Sequence, residues 1–182
     1  GIHTLITFSE RWLENGKDYI SPFISSMFPG TAESEYQNEN GRSNKNILQV
    51  VEELEKVSRD YFLIFAHVEQ RSGLWKEMAG GRLIDFVSSR YETIRKRILG
   101  FQKVRTRDDR DRIKEWLGSW YPAEIEGSDC KSISDIGKGE KGFVKIGAFS
   151  FDAVKFSLTD KDSRVSPIAV THTNSYIKKI RF

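Results

Sequence analysis

An unbroken apolar run, Tyr61-Phe62-Leu63-Ile64-Phe65-Ala66, constrains the fold of this chain more than any other feature of the sequence. A strand with one solvent-exposed face alternates apolar and polar residues, so an uninterrupted apolar run predicts a strand that is buried on both faces. Such strands belong to parallel sheets with helices packed outside them. Apolar runs of this length are far shorter than the roughly 20 residues of a membrane-spanning helix, which excludes a transmembrane protein.

Strands and helices alternate along the rest of the chain. Alternation with short connections predicts an α/β fold with a mainly parallel sheet, either open or closed into a barrel. The segments predicted to be helical are 47–57, 82–91, 106–117 with Thr106 as its cap, and a helix capped by Ser150 that contains Phe151, Val154 and Leu158. The segments predicted to be strands are 61–66, 98–104, 123–126 and 143–146.

The segment before residue 47 contains a strand, a broken helix and a loop. Residues 1–8 have the composition of a strand, and Ser9 is a candidate cap for the helix that follows. Gly16 and Pro22 are expected to divide that helix into two pieces. Residues 31–46 contain almost no aliphatic side chains, which predicts an exposed loop.

Both ends of the sequence have the pattern of strands. The first strand begins at residue 1, and residues 176–182 alternate apolar and polar side chains up to the last residue. We therefore expect this chain to be a piece of a longer polypeptide, although a short protein with a processed N-terminus fits the same pattern.

The composition narrows the class of protein. The 182 residues suffice for one sizeable core, and the formal net charge of +3 implies no obligate polyanionic partner. Cys130 is the single cysteine, so no intramolecular disulfide and no cysteine-based zinc site can form. Without a basic and apolar leader, a cytoplasmic location is the default expectation.

Polar residues follow two of the predicted strands directly. His67 and Glu69 come after the strand that ends at Ala66, and Asp129 and Lys131 come after the strand at 123–126. In parallel sheets the chemistry lies at the C-terminal ends of the strands, so these residues are expected on one rim. Imidazole and carboxylate groups suit zinc, manganese or iron, while a rim histidine with a purely structural hydrogen bond is the alternative.

Three other motifs carry little functional signal. The glycine-rich segment 136–142 lacks the spacing of a phosphate-binding loop and leads into a predicted strand, which indicates a turn. Segment 79–82 does not pass the same test as a dinucleotide fingerprint, although its glycines would permit close backbone approach at a helix start. Cys130 has Lys131 beside it, but adjacency in sequence does not make a nucleophile.

Residues 90–115 contain ten lysines and arginines against five acidic residues. This excess allows contact with the phosphate backbone of a nucleic acid. The alternative is a solvated helix face whose charges pair locally with residues such as Asp108, Asp109 and Asp111. Trp12, Trp75, Trp116 and Trp120 are expected to pack rather than to stack on bases.

Several motifs, taken in order, resemble the PHP (polymerase and histidinol phosphatase) domain of TrlF-type proteins, in which a PHP domain precedes a large AAA-like ATPase. The matching segments are 65–75, 80–83, 99–105 and 126–139, and residues 174–180 are similar to the linker strand that leads into the ATPase. The resemblance implies a distorted (βα)7 barrel, here partial, with mainly parallel strands and outer helices. It also implies a cluster of divalent metals for phosphoester hydrolysis, and a division into a PHP-like domain at 1–170 and a linker strand at 171–182.

The same resemblance implies a set of site residues. His3, His67 and Asp129 match positions of metal ligands, and Glu69 is a candidate for supporting them from outside the ligand set. The chain departs from the family where a ligating histidine is replaced by Lys131, which could contact a substrate phosphate or replace a metal electrostatically. The N-terminal His-x-His motif has no counterpart here.

Two functions follow as expectations. The first is a degenerate or truncated PHP-type phosphoesterase or nuclease module that is associated with an AAA-like ATPase and is inactive by itself. The second is a non-catalytic PHP-like scaffold that recognises a nucleic acid, through residues 90–115, or another partner. An intact His-x-His motif upstream would favour the enzyme.

Overall fold

The computed structural model describes residues 1–38, 41–79, 82–86, 92–127 and 130–169. A four-stranded sheet lies at its centre, and its strands in chain order are β1 Thr4–Phe8, β2 Tyr61–Phe65, β3 Ile98–Gln102 and β4 Ala123–Ile125. The spatial order is the same as the chain order. β2, β3 and β4 run parallel, and β1 runs antiparallel to β2. The predicted α/β class and mostly parallel sheet are therefore confirmed.

Helices connect and cover these strands. The α-helices are α1 Ile20–Met27, α2 Glu33–Tyr36, α3 Ile47–Val57, α4 Leu74–Glu77, α5 Arg82–Phe86, α6 Glu92–Arg97, α7 Arg107–Leu117, α8 Phe151–Thr159 and α9 Lys161–Arg164. Short 3-10 helices span Glu10–Leu13, Gly118–Trp120 and Ile133–Asp135. None of the described helices is both long and apolar enough to cross a bilayer.

The strand predicted from the apolar run is buried on both faces. Tyr61, Leu63 and Phe65 point into the larger of two hydrophobic clusters and are fully buried. Phe62 points to the opposite side and packs in a smaller cluster with Leu158 of α8. β2 thus separates two hydrophobic layers, as the absence of polar residues in the run requires.

The described strands of the main sheet do not close into a barrel, since β1 and β4 lie at its two edges. The predicted strand at 143–146 forms, but only as β5 Phe143–Val144, and it lies outside the main sheet. It pairs antiparallel with β6 Val165–Ser166 in a separate two-stranded sheet. The pairing of a strand depends on which neighbour it meets, and sequence alone does not fix it.

The helix starts show which capping predictions succeed. Ser150 caps α8 as predicted, with its Oγ accepting a hydrogen bond from the Ala153 amide at 3.2 Å. Ser9 precedes a 3-10 helix in place of the predicted α-helix and makes no side-chain capping bond. Pro22 lies within the first turn of α1 and does not break it, since a first-turn residue needs no intrahelical N–H bond. The break lies before Ile20, whose amide donates to the Asp18 side chain.

The predicted loop at 31–46 contains ordered contacts. It includes the single turn of α2, and Tyr36 stacks on Phe28 with ring centroids 4.7 Å apart. Ser43 donates a hydrogen bond to the Met27 carbonyl at 2.8 Å. The loop therefore packs against the end of α1 at two points among its described residues.

Candidate functional site

The site lies at the edge of the sheet where β2, β3 and β4 end, which we call the rim. β1 begins at this same edge because it runs antiparallel to β2. The Ala66 amide donates a hydrogen bond of 3.0 Å to the His3 carbonyl, which fixes the start of β1 beside the end of β2. His3, whose position the direction of a strand alone could not settle, thus joins His67 on the rim.

The two histidine side chains approach each other there. Their ring centroids are 6.2 Å apart, and the ring planes are inclined at 45°. With metal–nitrogen bonds of about 2.0–2.1 Å, two imidazoles that share one ion have centroids about 5–6 Å apart. The observed separation is slightly larger than this range; His3 is exposed and His67 is half-buried.

A tight turn holds the backbone of His67. His67 has a φ of 48°, in the left-handed region that few non-glycine residues adopt. Its carbonyl accepts a hydrogen bond from the Gln70 amide at 3.0 Å. A Cβ added at Gly73 would lie 2.3 Å from that same carbonyl oxygen, so only glycine fits there. The turn therefore positions the imidazole with a backbone that has little freedom to move.

Glu69 joins this turn to helix α7. Its Oε2 accepts a hydrogen bond from the Arg105 amide at 2.7 Å, and its Oε1 accepts one from the Thr106 amide at 2.8 Å. Thr106 occupies the predicted N-cap position of α7 but makes no side-chain capping bond, and Glu69 instead accepts from two amides that directly precede the helix. Both oxygens of Glu69 thereby tie the His67 turn to the segment after β3.

Arg105 forms ion pairs with two further carboxylates at the rim. Its guanidinium donates two parallel hydrogen bonds to Glu126, at 2.6 and 2.7 Å, and a third to Glu140 at 2.6 Å. The hydrogen bond from Arg105 lowers the pKa of Glu126, and the same bond raises the pKa of Arg105. Sequence reasoning missed this network, and its only signal was the position of Glu126 at the end of a strand.

Gln102 is a second rim residue that sequence reasoning missed. It is buried, and a Cβ added at Gly127 would lie 1.3 Å from its Nε2 atom. The next residue, Lys103, has a φ of 58° and is half-buried. The usable signal was a glutamine that ends an otherwise apolar strand.

The remaining predicted site residues follow β4. Asp129 lies outside the described residues, so its distance from the two histidines stays a prediction. Lys131 is exposed, and Cys130 is half-buried. Within the described ranges, no group of three or more histidine, cysteine, aspartate or glutamate side chains is arranged to hold a metal ion.

Most of the described basic side chains in residues 90–115 form ion pairs. Arg110 contacts Glu124 at 2.9 Å, Arg112 contacts Asp109 at 2.6 Å, and Lys96 contacts Glu92 at 2.7 Å. Similar pairs join Arg97 to Glu55 and Asp60, Arg107 to Asp111, and Lys114 to Glu124. Local pairing, one of the two alternatives for this segment, accounts for much of its charge; Arg90 lies outside the described residues.

Trp12 and Trp75 are core residues, Trp116 packs against the core, and Trp120 is exposed. Trp12 and Trp75 are buried, as predicted. Trp116 is half-buried, with the Arg112 guanidinium 5.3 Å from its ring centroid. Trp120 is 43% exposed, and the Arg95 guanidinium lies 3.6 Å from its ring centroid.

Comparison with known proteins adds no family to this description. No family model matches the chain, and it matches neither a curated protein nor a solved structure. A functional conclusion therefore depends on the geometry of the rim and on the motifs along the sequence.

Proposed function

We propose that this chain is a degenerate PHP-type module that binds a divalent metal ion on its rim through His3, His67 and Asp129. In the complete protein it would serve a metal-dependent phosphoesterase or nuclease associated with an AAA-like ATPase. The observation that carries the proposal is the approach of His3 and His67, two residues far apart in sequence whose rings lie 6.2 Å apart.

Each residue of the proposed site has a role that follows from its chemistry. His3 and His67 offer neutral nitrogen donors, and Asp129 offers a carboxylate. A divalent ion held by these residues would supply Lewis-acid chemistry that activates water at neutral pH. Glu69 and Gly73 hold the His67 turn, and Lys131 offers a cation to a substrate phosphate.

The composition of the ligand set makes the site degenerate. Three candidate ligands would not suffice to hold a cluster of several divalent ions. Lys131 adds a positive charge beside Asp129 at a position where the family that this chain resembles has a ligand. We therefore expect the isolated chain to bind one metal ion weakly and to lack phosphoesterase activity.

Calorimetric titration of the chain with zinc or manganese tests the proposal. We expect weak binding, with a dissociation constant that is micromolar or higher. We also expect this binding to be lost in His67→Asn. Asparagine is the substitution of choice because it tolerates a left-handed backbone and keeps the turn intact. His172→Asn is the matched control, since it removes a histidine that lies outside the motifs of the resemblance.

Two results would contradict the proposal. Binding that persists in His3→Ala and in His67→Asn would place the metal elsewhere. Submicromolar binding that disappears in His67→Asn would show a complete site and would overturn its description as degenerate.

A second candidate function, a scaffold that recognises nucleic acid, is favoured by the exposed ring of Trp120 with Arg95 against it. Base stacking on an aromatic ring beside an arginine is a common mode of single-strand binding. This function predicts quenching of tryptophan fluorescence by a single-stranded oligonucleotide, weakened by salt and by Trp120→Ala. Absence of quenching at low salt would remove this candidate.

A further inference from the structure

β1 forms an edge of the main sheet, and no described strand pairs with its outer side. Its sequence, Thr-Leu-Ile-Thr-Phe, contains no charge, no proline and no glycine. Natural proteins usually protect a sheet edge with lysine, proline or a bulge, because unpaired backbone groups recruit further strands. β1 has none of these protections within Thr4–Phe8.

The pairing with β2 determines which backbone groups of β1 point outward. The Ala66 amide donates to the His3 carbonyl, and the Ser9 amide donates to the Asp60 carbonyl, each at 3.0 Å. Because hydrogen-bonded positions alternate along an antiparallel pair, Leu5 and Thr7 also bond to β2. The N–H and C=O groups of Thr4, Ile6 and Phe8 therefore face the open edge.

We propose that this edge pairs with β1 of a second copy of the chain, antiparallel and centred on Ile6. A two-fold axis at Ile6 sets Ile6 opposite Ile6 of the second copy and Thr4 opposite its Phe8. The outward groups of these three residues then match each other in register. The edge is thus complementary to itself, which is what a symmetric dimer requires.

The side chains of β1 favour a second copy as the partner. A strand without charges meets no like-charge repulsion when it pairs with itself. Leu5, which is 50% exposed, lies opposite Thr7 of the second copy in this register and loses water from its exposed side. An interface built on one short strand is smaller than a standard stable interface, so we expect a weak dimer that depends on concentration.

The dimer is independent of the proposed metal site. Because the two copies of β1 run antiparallel, the two His3 residues lie at opposite ends of the paired strands. Each rim then keeps its own histidine pair. Loss of the dimer leaves the metal proposal untouched, and His67→Asn leaves the dimer in place.

Sedimentation equilibrium of the full chain, from low micromolar to near-millimolar concentration, tests the proposal. We expect reversible dimers, weakened at least about tenfold by Leu5→Lys, which adds a charge at the edge. Ile133→Lys is the matched control and should leave the dimer unchanged, because Ile133 is 89% exposed and follows the opposite edge strand. Thr4→Pro should also weaken the dimer, since it removes an outward N–H and spares the bonds to β2.

Amide exchange and cross-linking test the register. Exchange at Thr4, Ile6 and Phe8 should slow as concentration rises, while exchange at Leu5 and Thr7 should not change. In a Cys130→Ser background, Ile6→Cys should form a disulfide dimer, because directly opposed residues in such a pair have Cα atoms about 5.5 Å apart. Thr7→Cys should cross-link less, since its symmetry mate lies beyond the roughly 7 Å limit for a disulfide.

Three outcomes would overturn the proposal. One is a chain that stays monomeric at every concentration. Another is a dimer that Leu5→Lys and Ile133→Lys weaken equally. The third is a monomer whose Thr4, Ile6 and Phe8 amides are already protected when dilute, because another part of the same chain would then occupy the edge.

Discussion

At the scale of single residues, Asp60 connects the start of β2 to three other elements. Its carboxylate accepts a hydrogen bond from Lys155 of α8 at 2.7 Å and one from Arg97 of α6. Its carbonyl accepts the Trp12 indole N–H at 2.9 Å. Burial favours a higher pKa for Asp60, but the hydrogen bonds and charges of Lys155 and Arg97 outweigh it and lower the pKa.

We predict that Asp60 makes the free energy of unfolding depend on acid pH. Since the pKa of Asp60 is lower in the folded chain than its ordinary value, its contribution is present above the unfolded pKa. That contribution is lost as the pH falls through the folded pKa. Asp60→Asn should lower the free energy of unfolding at neutral pH by about 1 kcal/mol, a modest value because a third of the side chain is exposed and water screens its charge.

Urea denaturation at several pH values between neutral and strongly acidic measures this effect. The difference between wild type and Asp60→Asn should shrink as the pH falls. Asp162→Asn, at a carboxylate that is 90% exposed, should change stability by less than about 0.5 kcal/mol at any pH. A difference between wild type and Asp60→Asn that stays constant down to strong acid would contradict the assignment.

Gly73 is a second residue whose substitution should have a large effect. A Cβ at this position meets the backbone oxygen of His67 at 2.3 Å, and backbone atoms cannot rotate away as a side chain can. Gly73→Ala should therefore lower the free energy of unfolding by more than about 2 kcal/mol. Gly147→Ala is the control, because a Cβ there meets nothing within 4 Å. Equal melting temperatures for the two variants would show that the turn is not held as described.

At the scale of secondary structure elements, the sequence predicts best what local pattern controls. The apolar run predicts β2, and the helical spacing of apolar residues predicts α3. A capping box of Asn46 and Gln49 stabilises the N-terminus of α3. The antiparallel direction of β1 was not predictable, because it depends on which neighbour the strand meets. The same limit applies to Glu69, which lies far in sequence from the two residues before α7 that it binds.

Two residues are candidates for stabilising the start of helix α7: Thr106, which is adjacent in sequence, and Glu69, which is distant in sequence. Because Glu69 accepts hydrogen bonds from the Arg105 and Thr106 amides, which directly precede α7, Glu69→Ala should lower the free energy of unfolding by about 1–2 kcal/mol. Thr106→Ala should cost less than about 0.5 kcal/mol, because Thr106 makes no capping bond. Chemical denaturation of both variants measures the difference. A larger loss in Thr106→Ala would restore the cap that the sequence predicts.

At the scale of the whole molecule, the sheet brings residues from distant parts of the chain to one rim. His3 lies on the rim because it precedes β1, which runs antiparallel to β2. His67 lies there because it follows β2, which runs parallel to β3. The sequence predicted the rim as a place for His67, whereas the position of His3 depended on the topology. Arg105 and Gln102 were missed because their roles arise from contacts between strand ends.

Substitution of Lys131 is expected to raise the metal affinity of the proposed site. Lys131→His exchanges a repelling charge for a neutral donor near Asp129, so metal binding should strengthen by about tenfold or more, which equals about 1.4 kcal/mol. Lys138→His, at another exposed lysine, is the control and should leave binding unchanged. Zinc titrations of both variants measure the effect. Equal affinities would show that Lys131 does not face the site.

We claim that His3 and His67 bind one metal ion together, and the visible absorption of the chain with cobalt(II) measures this. Coordination by protein nitrogen and oxygen donors changes the ligand-field bands of cobalt relative to the aqueous ion. We predict new bands in the wild-type chain that disappear in His3→Ala and in His67→Asn alike. Bands that survive either substitution, or a spectrum that stays that of the aqueous ion at saturating cobalt, would contradict the claim.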